Sequence, residues 1–206
     1  MSGRNNRQDF RRVKKPAKPL LCLTEGKETE MLYLKHTLKT QSKTITSKFK
    51  QGSQIIQYAI EKYKGEYKII YAIFDREFPS AEEHRTLREI DEILKKDQGT
   101  VIPIMSSPCI EYVLLLHFVD KHPIFNNNKE VERALKKECP SYQKNETSFF
   151  QSLTKQQIQE ASERLKKRDT ELDFTEDSPI KQRADKDHMP NSNFHVLIDA
   201  LTNQKT

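Results

Sequence analysis

The sequence predicts an α/β fold layered about a mainly parallel sheet. Two observations carry that expectation. Short apolar runs alternate with helix-periodic stretches over about a hundred residues, the pattern of strands joined by helical crossovers. The run Ile69 to Phe74 is apolar, β-branched and aromatic, too short for an ordinary helix, and reads as a strand buried on both faces.

Residues 1 to 18 are polar and lead into Lys15-Pro16-Ala17-Lys18-Pro19, a stiff stop. Leu20 to Leu23 gives a first strand. Gly26 permits a tight turn after it. Met31, Leu34 and Leu38 then recur at helical spacing, so a helix is expected over 29 to 39. Thr44 to Phe49 is a weaker strand. Ile55, Ile56, Ala59, Ile60 and Tyr63 line one face of a second helix, which Gly65 can end. Past the central strand, Ser80 and Glu83 are spaced as a capping box, and Leu87, Ile90, Ile93 and Leu94 give a third helix its stripe until Gly99 breaks it. Val101 to Met105 is a strand placed towards an edge by Pro103, which cannot donate to a ladder. Ser107 and Pro108 read as the cap and first turn of an apolar helix reaching Phe118. Beyond Asp120 the chain is polar and rich in Lys and Glu. Helices are expected at 129 to 138 and 155 to 168, loop at 169 to 189, and a last amphipathic helix capped by Pro190-Asn191-Ser192-Asn193. The expected organisation is a basic, flexible arm (1–18), an α/β core (19–119), and a helical insertion and C-terminal part (120–206) packed on that core.

Of the 206 residues, 34% are hydrophobic and 32% charged, which suits one sizeable core with polar margins. The net charge of +6 is local. Arg4, Arg7, Arg11, Arg12, Lys14, Lys15 and Lys18 face Asp9 alone within the first 20 residues, so the remainder sums to neutral. Such an arm is either a solvated leader or a contact for phosphate backbones. Cys22, Cys109 and Cys139 show no metal-type spacing, and the first two sit among apolar residues like buried thiols of a reducing compartment. No apolar run follows the basic start, and none is long enough for a membrane span. A soluble, cytoplasmic protein is expected.

Asp75 and Glu77 follow the central strand at once. In extended chain, residues i and i+2 point to one side, about 6 to 7 Å apart. Crossover connections put binding sites at the carboxyl ends of parallel strands. Glu25 sits just past the first strand, and Glu111 is the one acid in an apolar helix, a costly place for an unpaired carboxylate. Converging acids repel unless a cation lies between them, and hard oxygen ligands suit Mg²⁺ or Mn²⁺. Such an ion polarises a phosphodiester and helps generate a hydroxide nucleophile, with Lys27 and Arg76 to neutralise the phosphate. Plainer readings stand beside this one. Glu25 is equally a solvated loop acid or a partner for a helix N-terminus, and Arg76 pairs as simply with Glu77. His117 is read as a satisfied core histidine; His195 is either cap-associated or phosphate-binding. There is no P-loop, dinucleotide fingerprint or nucleophile elbow. An aspartyl-phosphate enzyme is disfavoured because a second Asp is absent at Glu77.

Four blocks together resemble the RloB-like family, whose members look like Toprim-fold proteins found beside restriction and other anti-phage loci. They are Cys22-Leu23-Thr24-Glu25-Gly26-Lys27-Glu28-Thr29-Glu30 with Tyr33, Phe74-Asp75-Arg76-Glu77, Ser107-Pro108-Cys109-Ile110-Glu111 with Leu114 to Phe118, and Pro190 to His195. The chain departs from the pattern at Glu77, where Toprim proteins usually carry Asp, and at Ser192-Asn193, where the family more often shows Ser-Thr. The resemblance implies a Toprim/Rossmann-like three-layer core. It makes Glu25 a general base or metal ligand, Asp75 and Glu77 metal ligands, and Glu111 and His195 site-lining residues. It implies metal-dependent cleavage of nucleic acid, RNA, tRNA or DNA, in abortive-infection defence. Expected partners are nucleic acid, a companion subunit such as an ATPase, and further copies of the chain. The rival expectation is a non-catalytic nucleic-acid-binding or adaptor subunit, with the basic arm (Arg11, Arg12, Lys14, Lys15) carrying the function.

Overall fold

A computed structural model describes residues 18–76, 81–97, 99–175, 180, 182 and 189–202. It is a three-layer α/β fold. The strands are β1 (Lys18–Thr24), β2 (Lys43–Thr46), β3 (Tyr67–Asp75), β4 (Val101–Ser107) and β5 (Asn191–Ser192). They form one sheet in the order β2-β1-β3-β4-β5, parallel except for β5. The helices are α1 (Thr29–Leu32, continuing as a π-helical turn over Tyr33–Thr37), α2 (Gly52–Tyr63), α3 (Ala81–Asp97), α4 (Ile110–Leu115), α5 (Asn128–Glu138), α6 (Thr147–Ser152), α7 (Lys155–Glu171) and α8 (Phe194–Thr202).

Strand alternation divides the core in two. Leu21, Leu23, Ile70, Ala72, Phe74 and Met105 face α2 and α3. Leu20, Cys22, Tyr71, Ile73 and Ile104 face α1 and α4 to α8. The crossover after β1 therefore leaves on one face and the crossover after β3 on the other. The sheet has its topological switch between β1 and β3, and the carboxyl ends of the strands at such a point are where open α/β sheets bind ligands.

Helix α4 is apolar but for Glu111 and Tyr112 Oη, in keeping with its burial on all sides. Every residue from Ile110 to Leu115 is buried. His117, just beyond it, is 1% exposed. Its Nδ1 lies 3.0 Å from Val113 O and 3.2 Å from Leu114 O, so it donates there and leaves Nε2 to accept from Tyr33 Oη at 3.0 Å. Burial pushes its pKa down to about 4, so it is a neutral core histidine, as expected. Cys22 and Cys109 are likewise buried free thiols.

Several local expectations are corrected. Ser107 does not cap α4: it belongs to β4, and Cys109 is the N-cap residue. Pairing of Ser106 and Ser107 with β5 extends β4 through that position. Asn191 and Ser192 are themselves strand. The expected strand at 44 to 49 is shorter and shifted, the helix from 29 relaxes into a π turn, and α7 runs on to Glu171, into the expected loop. Helix α6 carried no periodic signal: it is six residues long, with two adjacent phenylalanines. Gly65 does follow α2, at φ +90°. Lys18, expected to end the basic arm, is the first residue of β1; residues 1–17 and the capping box at Ser80 lie outside the described residues.

Asn193 closes the exposed edge of β4 where β5 ends. Its Oδ1 accepts from Met105 N–H at 2.8 Å, and its Nδ2 donates to Pro103 O at 2.8 Å. One side chain thus stands in for a missing strand. Asn193→Ala strands two backbone groups, and is expected to cost about 2 kcal/mol or more in urea unfolding, without changing the m-value.

Candidate functional site

Adjacent parallel strands fix the first two acids. The β1–β3 register places Thr24 opposite Ile73, and Glu25 N–H donates to Ile73 O at 2.9 Å. The Glu25 carboxylate then turns across the strand tips, and its Oε2 accepts from Asp75 N–H at 3.2 Å. Glu25 and Asp75, 50 positions apart, therefore meet at the sheet's switch point.

Two further acids come from the helical face. Glu30, in the first turn of α1, is buried, and its Oε1 accepts from Gly26 N–H at 3.0 Å. A Cβ on Gly26 would collide with that carboxylate. Glycine is needed here for the close approach of Glu30, not for a left-handed backbone. Glu111, on α4, is 4% exposed. It accepts from Tyr142 Oη at 3.3 Å and pairs with Lys144 Nζ at 3.0 Å.

Their electrostatics are interdependent. Burial, then the charges of Glu30, Glu111 and Glu25, push the Asp75 pKa well above the ordinary carboxylate value, while Lys144 opposes the shift. Burial raises Glu30 too, with Glu111 adding to it, against the hydrogen bonds of the Glu30 and Gly26 backbone. Lys144 loses some of its charge preference to burial, but Glu111 and Asp75 outweigh that and raise its pKa. Negative charge at these strand tips is held at a cost.

The other expected residues are placed differently. Lys27 is exposed in the loop after β1. Arg76 is 2% exposed, with its backbone N–H on Ser106 O, so its guanidinium lies inside the fold and not on an open phosphate-binding surface. His195 is buried at 2%, its Nε2 3.8 Å from Asp169 Oδ2 on α7, which sets it in the helical layer. Glu77, Arg11, Arg12, Lys14 and Lys15 lie outside the described residues. Glu30, Tyr142 and Lys144 were not among the expected site residues. Glu30 stood in the first block without a role. Tyr142 and Lys144 lie in Cys139-Pro140-Ser141-Tyr142-Gln143-Lys144, which has no periodicity or motif to mark it.

Among the described residues, no group of three or more His, Cys, Asp or Glu side chains is placed to hold a metal ion. The donor chemistry nevertheless suits a hard divalent ion. The acids supply oxygen only, and the repulsion acting on Asp75 is what such an ion relieves.

A stability test follows from the raised Asp75 pKa. A carboxyl raised in the folded state favours folding below its unfolded pKa, and that contribution is lost as pH rises through the folded value. Asp75→Asn removes the loss. The variant is expected to melt higher than wild type at pH 7.5, with its advantage shrinking as pH falls towards about 4. Thermal denaturation across pH checks this.

No curated protein and no solved structure matches the chain. No helix among the described residues is long and apolar enough to cross a membrane. A family model does match: the one described as RloB-like protein covers residues 20–201, from the first residues of β1 almost to the end of α8. The four motif blocks, their order along the chain and that match agree, and the chain belongs to the RloB-like family.

Proposed function

We propose that this RloB-like protein is a divalent-metal-dependent nuclease of Toprim-like type, hydrolysing phosphodiester bonds of RNA, tRNA among them, or of DNA, in cytoplasmic anti-phage defence. The observation that carries the reading is the Glu25 to Asp75 contact. It brings acids from two strand ends to the crevice where an α/β sheet receives its ligand. Glu25 and Asp75, with Glu77 beyond β3, would hold Mg²⁺ or Mn²⁺, which supplies charge neutralisation at the phosphate and activation of water. The chain's own groups orient the reaction. Glu25, pinned to the Asp75 backbone, is fixed as an acceptor for a proton from an attacking water. Glu30 and Glu111 surround it with negative charge that keeps anions out unless cations accompany them. The buried helix α4 holds Glu111 rigidly, so that geometry does not depend on substrate.

One observation favours the adaptor reading: Lys144 already offsets part of the cluster's charge, as it would in a purely structural site. Cleavage assays separate the two. With purified protein, Mg²⁺ and labelled tRNA, single-stranded RNA and duplex DNA, Glu25→Gln and Asp75→Asn are each expected to lower cleavage about a hundredfold or more. Unchanged Mg²⁺-dependent cleavage by both variants would falsify the catalytic assignment. Removal of residues 1–18 is expected to weaken nucleic-acid binding and flatten its salt dependence, while an intact site keeps basal cleavage of a short substrate.

A further inference from the structure

Beyond residue 20 the charges sum to neutral, but they are unevenly spread. Between Lys39 and Lys64, the stretch that holds β2 and α2, stand six lysines and a single acid, Glu61. All six lysines are exposed. Strand β2 is an edge of the sheet, so this side of the molecule carries a positive margin. Aromatic rings are set among the lysines. Phe49, in the loop after β2, meets Tyr58 of α2 edge-on at 5.4 Å, and Tyr58 meets Tyr63 at 5.7 Å. Tyr63 is core, while Phe49 and Tyr58 are half-buried. Lys48 Nζ lies over the Phe49 and Tyr58 rings, 5.0 and 5.6 Å from their centroids. Lys62 Nζ lies over Tyr58 at 5.2 Å and donates to its hydroxyl at 2.9 Å. Among the described residues, no carboxylate is within ion-pair distance of either ammonium. The loop runs beside the strand tips: Ser47 N–H donates to Thr24 O at 2.7 Å, and Lys50 Nζ donates to Glu25 O at 3.4 Å.

We infer that the surface formed by Lys48, Phe49, Lys50, Tyr58 and Lys62 binds single-stranded nucleic acid, with bases stacked on the rings and phosphates on the lysines, and leads it towards Glu25. The inference rests on the nucleic-acid function proposed above, and not on cleavage. Edge protection accounts for part of the surface. A lysine on an edge strand blocks pairing with another sheet, which explains Lys43. It does not explain ammonium groups held over rings of the loop and of α2, away from the β2 ladder. Both lysines are exposed, so the ring faces beneath them are turned towards solvent. A nucleobase offers a larger flat π surface than an ammonium does. It takes the ring face, and the displaced lysine, on its flexible stem, turns to the adjoining phosphate. A single strand presents base and phosphate together. In a duplex the base faces are stacked on one another, and an acidic peptide offers charge without flat rings.

The test is fluorescence anisotropy of the full chain with a labelled oligouridylate of about 12 nucleotides, in EDTA so that metal-dependent cleavage does not intervene. Tyr58→Phe keeps the ring and is expected to bind within about twofold of wild type, whereas Tyr58→Leu keeps the apolar bulk without the ring and is expected to bind about tenfold more weakly. The double variant Lys48→Gln/Lys62→Gln is expected to flatten the slope of log affinity against log salt by about 1.4. The chain has no tryptophan, so Phe49→Trp sets a single reporter on the surface, and the oligonucleotide is expected to quench its emission. Equal affinity of Tyr58→Leu and Tyr58→Phe makes this a surface for any polyanion, an acidic protein among them, and overturns base stacking. Binding that leaves the Phe49→Trp emission unchanged puts the contact elsewhere on the chain and overturns the surface itself. An unchanged salt slope in the lysine variant, with self-association in its place, makes these lysines edge guards and overturns their phosphate role. If the wild type binds no oligonucleotide, this inference falls. The nuclease function is decided separately, by Mg²⁺-dependent cleavage in Glu25→Gln and Asp75→Asn.

Discussion

A carboxylate held on a neighbouring strand's backbone sets the layout of this protein. Glu25 accepts from Asp75 N–H, and that bond needs β1 and β3 to be adjacent, parallel and in one register. Adjacency follows from the crossovers, which leave opposite faces of the sheet after β1 and β3. The two apolar layers therefore do more than stabilise. They set the register that brings Glu25 and Asp75 together. Folding energy from the layers offsets the cost of burying carboxylates at the rim.

The contrast with other buried polar groups sharpens the point. His117 is pushed down to about 4 and stays neutral between Tyr33 and two carbonyls. Cys22 is pushed up to about 12 and stays a thiol. Both are uncharged, and burial is the largest cause in each, with the charge of Arg164 adding to it at His117. At the strand tips, burial acts together with like charges, and the opposing partner is a half-exposed lysine.

How much of this was legible beforehand depended on the kind of signal. Strands β1, β3 and β4 are short, mostly unbroken apolar runs and helices α2 and α3 carry an apolar stripe at helical spacing, both of them local properties of the chain. Glu25 and Asp75 were readable because acids directly after apolar strands are rare, and parallel pairing brings such positions together by rule. The limits of α4 were missed because Ser107 and Pro108 suit a helix cap locally, while two pairs with β5, some 85 positions away, draw Ser107 into the sheet. Pro103 was correctly associated with an edge, but the group that covers that edge, Asn193, belongs to the last motif in the chain. Arg76 looked like a phosphate ligand because charged residues usually face water; tertiary packing enclosed it. Tyr142 and Lys144 had no signal, because a single tether in an aperiodic segment leaves no pattern.

That last case bears on why the helical region beyond residue 120 is there. Its helices complete the layer over β1, β3 and β4, with Val131, Leu135, Phe149, Phe150 and Leu165 packed on the α4 side. The same region supplies Tyr142 and Lys144, both of which contact Glu111 on α4. Lys144 makes one ionic contact with Glu111 while its side chain stays largely in solvent, so the buried carboxylate gains a counter-charge without the burial of a second ion.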